Sequence, residues 1–174
     1  MSASVPPPAP APVSASAAPS VPAPAPAQPA CPAGGVRVEL GPGDAAMGLR
    51  VLDLYLVNCG TATYRVNGYP VVRLLDDQRQ PVTVQVLKGT TAITGSIPDY
   101  DKPPSKLTLR PGQRATAVLA WRNTYNDITN PPVSAPYLEI GPAAGAPAQP
   151  VTPRSDIDLG STGRVAVSAW RPAA

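Results

Sequence analysis

An all-β domain of two packed layers is the fold class this sequence predicts, on three observations. Apolar residues come in short Val- and Leu-rich runs that alternate with polar ones, the period of a half-buried strand. Turn signals such as Gly-Pro, Asn-Gly and Pro-Gly separate these runs at short intervals. No segment carries a sustained i, i+3, i+4, i+7 stripe, so amphipathic helices are not expected. About eight such strands over ~140 residues can enclose a single antiparallel sandwich core.

Residues 1–33 stand apart from that pattern. Residues 1–30 hold ten Pro, ten Ala and five Ser, and no charged residue, Gly or aromatic. Each Pro fixes φ and removes a backbone donor, so neither helix nor sheet ladder can propagate here. Nothing in the tract can build a core, and a disordered, polyproline-II-biased spacer is expected. Fully extended it would reach on the order of 90 Å.

The domain is expected over residues 34–172. Val36, Val38 and Leu40 alternate with Arg37 and Glu39 as a first strand, which Gly41-Pro42-Gly43-Asp44 is expected to end. Leu52, Leu54 and Leu56 make a second, closing at Asn58-Cys59-Gly60. Tyr64–Val66 and Val71–Leu75 flank Asn67-Gly68, a dipeptide that favours hairpin turns. Val82, Val84 and Val86 alternate next. Leu107 and Leu109 lead to Pro111-Gly112, a pair suited to a type II bend, before Val118, Leu119 and Trp121. Tyr137–Ile140 and Arg164–Trp170 supply the last strands. Trp121 and Trp170 are expected in or at the edge of the core, with stacking on carbohydrate as the functional alternative.

Composition excludes most chemistry. The chain has no His, which removes Ser-His-Asp triads, Cys-His dyads and zinc sites of the HExxH kind. Gly160-Ser161-Thr162-Gly163 has the wrong spacing for a nucleophile elbow, and no Ser-x-x-Lys or phosphate-binding glycine loop occurs. Lys plus Arg (14) against Asp plus Glu (11) leaves a net +3 without basic clusters, so no nucleic acid is expected. The carboxylate pairs Asp76-Asp77, Asp99-Asp101 and Asp156-Asp158 fall in turns, where solvation opposes a raised pKa. Neither Asp99-Asp101 nor Asp156-Asp158 has calcium-loop spacing. No metal, no cofactor and no catalytic residue are expected.

Binding residues are sought in the long loops, 88–105 and 123–135. The first offers Asp99, Tyr100 and Asp101; the second offers Tyr125, Asn126 and Asp127. Tyr beside amides and acids suits recognition, because it presents contact area at little ordering cost.

Two stretches resemble a known family. Leu54–Asn58, Cys59–Arg65 and Val66-Asn67-Gly68-Tyr69-Pro70-Val71-Val72 look like the signature of an actinobacterial family of exported proteins and lipoproteins, domain of unknown function 4232. Leu107-Thr108-Leu109-Arg110-Pro111-Gly112-Gln113-Arg114-Ala115 is similar to its second signature, a Pro-Gly turn before a strand with a late Trp. The resemblance spans most of residues 31–170. It implies an immunoglobulin-like sandwich outside the cytoplasm, with no assigned activity. The sequence departs from the family in its cysteines: one usual Cys would fall near Tyr64, and Ser161 stands near a position of a missing later pair.

Cys31 and Cys59 are the only cysteines, and in an exported domain they would form the one bridge available. Cys31 is a poor lipid-attachment site, because Gln28 and Pro29 precede it without an apolar run. A leader and a lipid-bearing residue upstream of Ser2 are expected instead. No stretch approaches the ~20 apolar residues of a membrane helix. The functional expectation is a monomeric, non-catalytic cell-envelope or secreted sandwich that binds a protein or wall component, tethered by its spacer. The alternatives are a carboxylate-dependent glycan hydrolase and a purely structural protein without a ligand.

Overall fold

The structure, a computed structural model, describes Met1 and residues 29–173. Most of the Pro/Ala spacer therefore lies outside the described residues. The domain is almost wholly β. Its main sheet has the order β1-β2-β7-β12-β5, formed by β1 (Val36–Ala46), β2 (Leu49–Asn58), β7 (Arg114–Arg122), β12 (Arg164–Val167) and β5 (Gln85–Lys88). The short β13 (Arg171–Pro172) also pairs with β7.

The facing layer is made of smaller pieces. β4 (Val71–Leu75), β9 (Tyr137–Gly141) and β10 (Gln149–Val151) form one sheet. β8 (Val133–Ala135) pairs with β11 (Ile157–Gly160), and β3 (Tyr64–Val66) with β6 (Leu107–Leu109). Leu54, Leu56, Leu119 and Val165 of the main sheet pack against Leu74, Leu138, Ile140 and Leu159 of the other layer in one core. Burying such side chains is worth roughly 1.5–3 kcal/mol each.

Several expectations need correction. Gly41-Pro42-Gly43-Asp44 does not end β1, which continues to Ala46 through a register shift between Leu40 and Gly43. An edge strand can absorb a Pro this way because that residue's missing N–H need not enter a ladder. Gly41 is required there: a Cβ would meet the Tyr55 ring at 2.6 Å. Asn67-Gly68 is no hairpin turn either. β3 pairs with β6 and β4 with β9, so the dipeptide carries the chain between sheets.

The strand expected over Val82–Val86 begins only at Gln85. Val82 and Val84 face the core, while Val86 is exposed and Leu87 packs on the opposite side of the sheet. β5 pairs with β12 in parallel, the one exception to antiparallel pairing among the named strands. The Arg164–Trp170 strand stops at Val167. Ser168 accepts the Val118 N–H through Oγ at 2.9 Å in place of a backbone carbonyl. Trp170 then turns inward, its Nε1 donating to Pro142 O at 2.6 Å and its backbone N–H to Gly68 O at 2.9 Å.

The 88–105 loop covers the outer face of the main sheet. Its one-turn helix α1 (Thr91–Thr94) brings Ile93 and Ile97 onto Ala120 and Ala166. β7 is thereby buried on both faces, which its run of Ala115, Ala117 and Ala120 permits.

Cys31 and Cys59 form a disulfide with Cα atoms 5.6 Å apart. Beside it, Asn58 is 1% exposed and uses every polar group it has. Its Nδ2 donates to Ala62 O at 2.9 Å and Leu109 O at 2.8 Å, and Oδ1 accepts from Gly60 N at 3.1 Å. Its backbone N–H donates to Gln113 O and its carbonyl accepts from Gly112 N.

Asn58→Ala would take the side-chain donors from Leu109 O and Ala62 O, at about 1–3 kcal/mol per buried group left unpaired. The Gly60 N–H keeps Gly35 O as acceptor, and the backbone bonds to Gln113 and Gly112 remain. Urea denaturation should show a loss of about 3 kcal/mol. Replacing Cys31 and Cys59 together with Ala should cost about 3.5 kcal/mol in the same measurement, the chain entropy released by opening a loop of this length.

Candidate functional site

A cleft of about 920 Å³ opens between the outer half of β1 and the segment 151–158 that joins β10 to β11. Leu40–Ala45 and Arg50–Leu52 form one wall, Val151–Asp158 the other, and Trp121 also lines it. The shift in β1 shapes the first wall by bending the strand beyond Leu40. Trp121 is buried, and its Nε1 donates to Asp158 O at 2.9 Å, which ties the second wall to β7. Trp121 is 6% exposed, which leaves little ring surface for stacking on carbohydrate.

Asp158 organises the rim. Its carboxylate accepts from Asn123 Nδ2 at 2.7 Å, Gly160 N at 3.0 Å and Tyr125 Oη at 3.3 Å. Its charge raises the Tyr125 phenol above the ordinary tyrosine value. Gly160 cannot be replaced here: its φ is +54° and a Cβ would lie 2.2 Å from Thr124 O. Asp156 accepts from Ser134 Oγ at 3.0 Å, and Asp44 from the Ala45 N–H at 2.7 Å.

The loop residues expected to bind divide between two places. Tyr125, Asn126 and Asp127 lie beside the cleft at the end of β7. Tyr125 is 64% exposed, and Ile128 and Met47 also stand open on the two loops joined by the Asn123 N–H to Gly48 O bond. Asn126 is exposed. Asp127 closes its own turn, accepting from Thr129 N at 2.8 Å and Thr129 Oγ1 at 2.6 Å. Those bonds hold its carboxyl below the usual carboxylate range. The buried Ser161 accepts the Asp127 N–H at 3.0 Å.

Asp99, Tyr100 and Asp101 lie instead on the outer face, beside β13. The Arg171 guanidinium stacks 3.8 Å from the Tyr100 ring centre and donates to Asp99 O. Lys102 Nζ pairs with Asp99 at 2.8 Å and lowers its pKa. Asp101 accepts from the Thr90 hydroxyl and from Ile97 N at 2.7 Å, knotting the two ends of the loop together. No hydrogen bond joins this group to Tyr125 or Asp127.

Sequence reasoning missed Arg50, Arg154 and Asp44 as cleft residues. A Gly-Pro-Gly run inside an alternating pattern was the available signal, since it marks a bulged edge strand as well as a break.

Burial pushes the Asp101 carboxyl up, but the hydrogen bonds from Thr90, Ile97 and Ser96 together outweigh it and its pKa is lowered. A depressed folded value contributes stability above the unfolded value of about 3.9 and loses it as pH falls through the folded one. Asp101→Asn should therefore melt earlier than the parent at pH 7, and the two should converge in strong acid. Melting curves across that range check this.

No curated protein matches the chain. A family model described as Domain of unknown function (DUF4232) matches residues 31–171, a span holding the Asn58 hub, the bridge and both walls of the cleft, and the chain belongs to that family.

Proposed function

We propose that this protein is a non-catalytic, extracytoplasmic sandwich that binds a partner protein or wall component in the cleft between β1 and residues 151–158. The Pro/Ala tract serves as its tether. The cleft carries this reading: a concave site walled by a bent strand and a short connection, with charged side chains around an aromatic. The disulfide supports an oxidising compartment. Among the described residues no helix is long and apolar enough to cross a membrane.

The cleft carboxylates are engaged within the fold. Glu39 pairs with Arg37 at 2.6 Å, and Asp44, Asp156 and Asp158 all accept protein donors. Asp44 and Asp156 are exposed, whereas a general acid for glycan cleavage is made by burial. One observation favours the hydrolase as a second reading: acids stand on both walls of one cleft.

Asp44→Arg combined with Asp156→Arg changes two exposed side chains and should leave the fold intact. Retention of the chain on isolated cell-envelope fractions should fall by ~10-fold or more, a change of at least 1.4 kcal/mol. Unchanged retention would place the partner elsewhere. New reducing ends released from wall glycan by the parent chain, and lost in Asp156→Asn, would replace the binding reading with the hydrolase.

A further inference from the structure

We propose that the cleft takes an extended peptide bearing Lys or Arg, added as a strand to the open edge of β1 between Leu40 and Ala45. The inference rests on the cleft being the binding site, and it names the partner's chemistry.

β1 is an edge strand, and its outward backbone groups can be identified. Val38 N–H donates not to β2 but to Gln149 Oε1 at 3.0 Å, and Gln149 Nε2 donates to Val36 O at 3.1 Å. The side-chain amide of Gln149 thus docks as a neighbouring strand's peptide group would. Val38↔Leu56 is accordingly a pair whose backbone groups point away from each other, and so is every second pair along the ladder. Val36, Val38 and Leu40 turn their backbone N–H and C=O groups outward, their side chains staying on the core. On β2 the alternation continues through Leu54, Leu52 and Arg50, whose partners beyond the shift are Gly43 and Ala45.

Leu40, Gly43 and Ala45 therefore aim their backbone groups into the cleft. Of these, the Ala45 N–H alone has a side-chain partner among the described residues, the Asp44 carboxylate. The lining of the cleft starts at Glu39, just past the part of the edge that Gln149 covers. Open edges of this kind accept an added strand, the main chain supplying affinity and side chains specificity.

Charge selects the strand. Glu39, Asp44, Asp156 and Asp158 line the cleft with Arg50 and Arg154; Glu39 is paired with Arg37, which leaves the acids one ahead in a chain whose net charge is +3. Four of the chain's eleven acids are gathered at this place. A local field opposite in sign to the whole molecule steers a cationic segment to the cleft and repels an acidic one. Trp121, 6% exposed, lines the cleft beside these acids.

The test is a titration of the ¹⁵N-labelled full chain with a capped hexapeptide of alternating Lys and Val. The same peptide with Glu for Lys, and a Lys-Val peptide N-methylated on alternate backbone nitrogens, serve as controls. The expected result is saturable shifts of the Gly43 and Ala45 amides with the Lys-Val peptide only. Asp44→Asn with Asp156→Asn should weaken that binding by ~10-fold. Equal binding of the N-methylated peptide would overturn strand addition, and equal binding of the Glu peptide would overturn the charge selection. Unmoved edge amides at millimolar peptide, or protection of those amides by dimerisation of the chain alone, would overturn the whole inference. If the amides stay unmoved while Asp44→Arg/Asp156→Arg still releases the envelope fraction, the strand inference falls and the cleft reading stands. Peptide binding with unaltered envelope retention upholds strand addition and moves the envelope partner to another surface.

Discussion

The fold turns on one buried amide. Asn58 stands at the end of β2, where the main sheet, the Cys59 turn and the bend before β7 meet. Each of those segments presents backbone groups that need partners. One side chain with two donors and an acceptor closes the Gly60 turn and reaches across to Leu109 in the facing layer. Its backbone holds the Gly112 bend at the same time. The two stretches by which the chain resembles its family, around residues 54–72 and 107–115, are joined physically at this residue.

The second constraint is the thinness of β7. Ala115, Ala117 and Ala120 leave room for layers on both sides of the strand, so the sandwich carries a third, partial layer from the 88–105 loop. That loop looks like a recognition element in sequence because it is long and carries Tyr and Asp. Its acids and aromatic are spent on internal contacts, with Asp101 on Thr90 and Ile97 and Tyr100 on Arg171. Length alone did not distinguish a covering loop from a free one. The apolar Ile93 and Ile97, spaced to press on a sheet, were the discriminating residues.

The fold class was legible because period-two alternation is a local property, visible in Val36–Leu40 and Leu52–Leu56 without knowing their partners. Pairing is not local. Asn67-Gly68 carries a hairpin's chemistry, yet Trp170 from the far end of the chain occupies the Gly68 carbonyl, and β3 and β4 go to different sheets. The cleft was hidden for the same reason. Its walls are about 110 residues apart in sequence, and the bulge that opens it was indistinguishable from a chain break. Arithmetic gave the pairing of Cys31 with Cys59, since only one was possible, while the expectation that the bond forms rested on an oxidising compartment.

That bridge also decides how mechanical load enters the domain. Tension applied to the chain before Cys31 passes through the two sulfur atoms to Cys59, bypassing the whole β1–β2 hairpin between them. It arrives beside Asn58, at the end of a strand paired on both sides, by β1 and by β7. Without the bridge the same pull would reach β1 first and peel an edge strand off the sheet one hydrogen-bonded pair at a time. With it, the pull enters at the end of β2, a strand held by two ladders rather than one. The bridge thus couples the chain before Cys31 to an inner strand and leaves the open edge of β1 outside that connection.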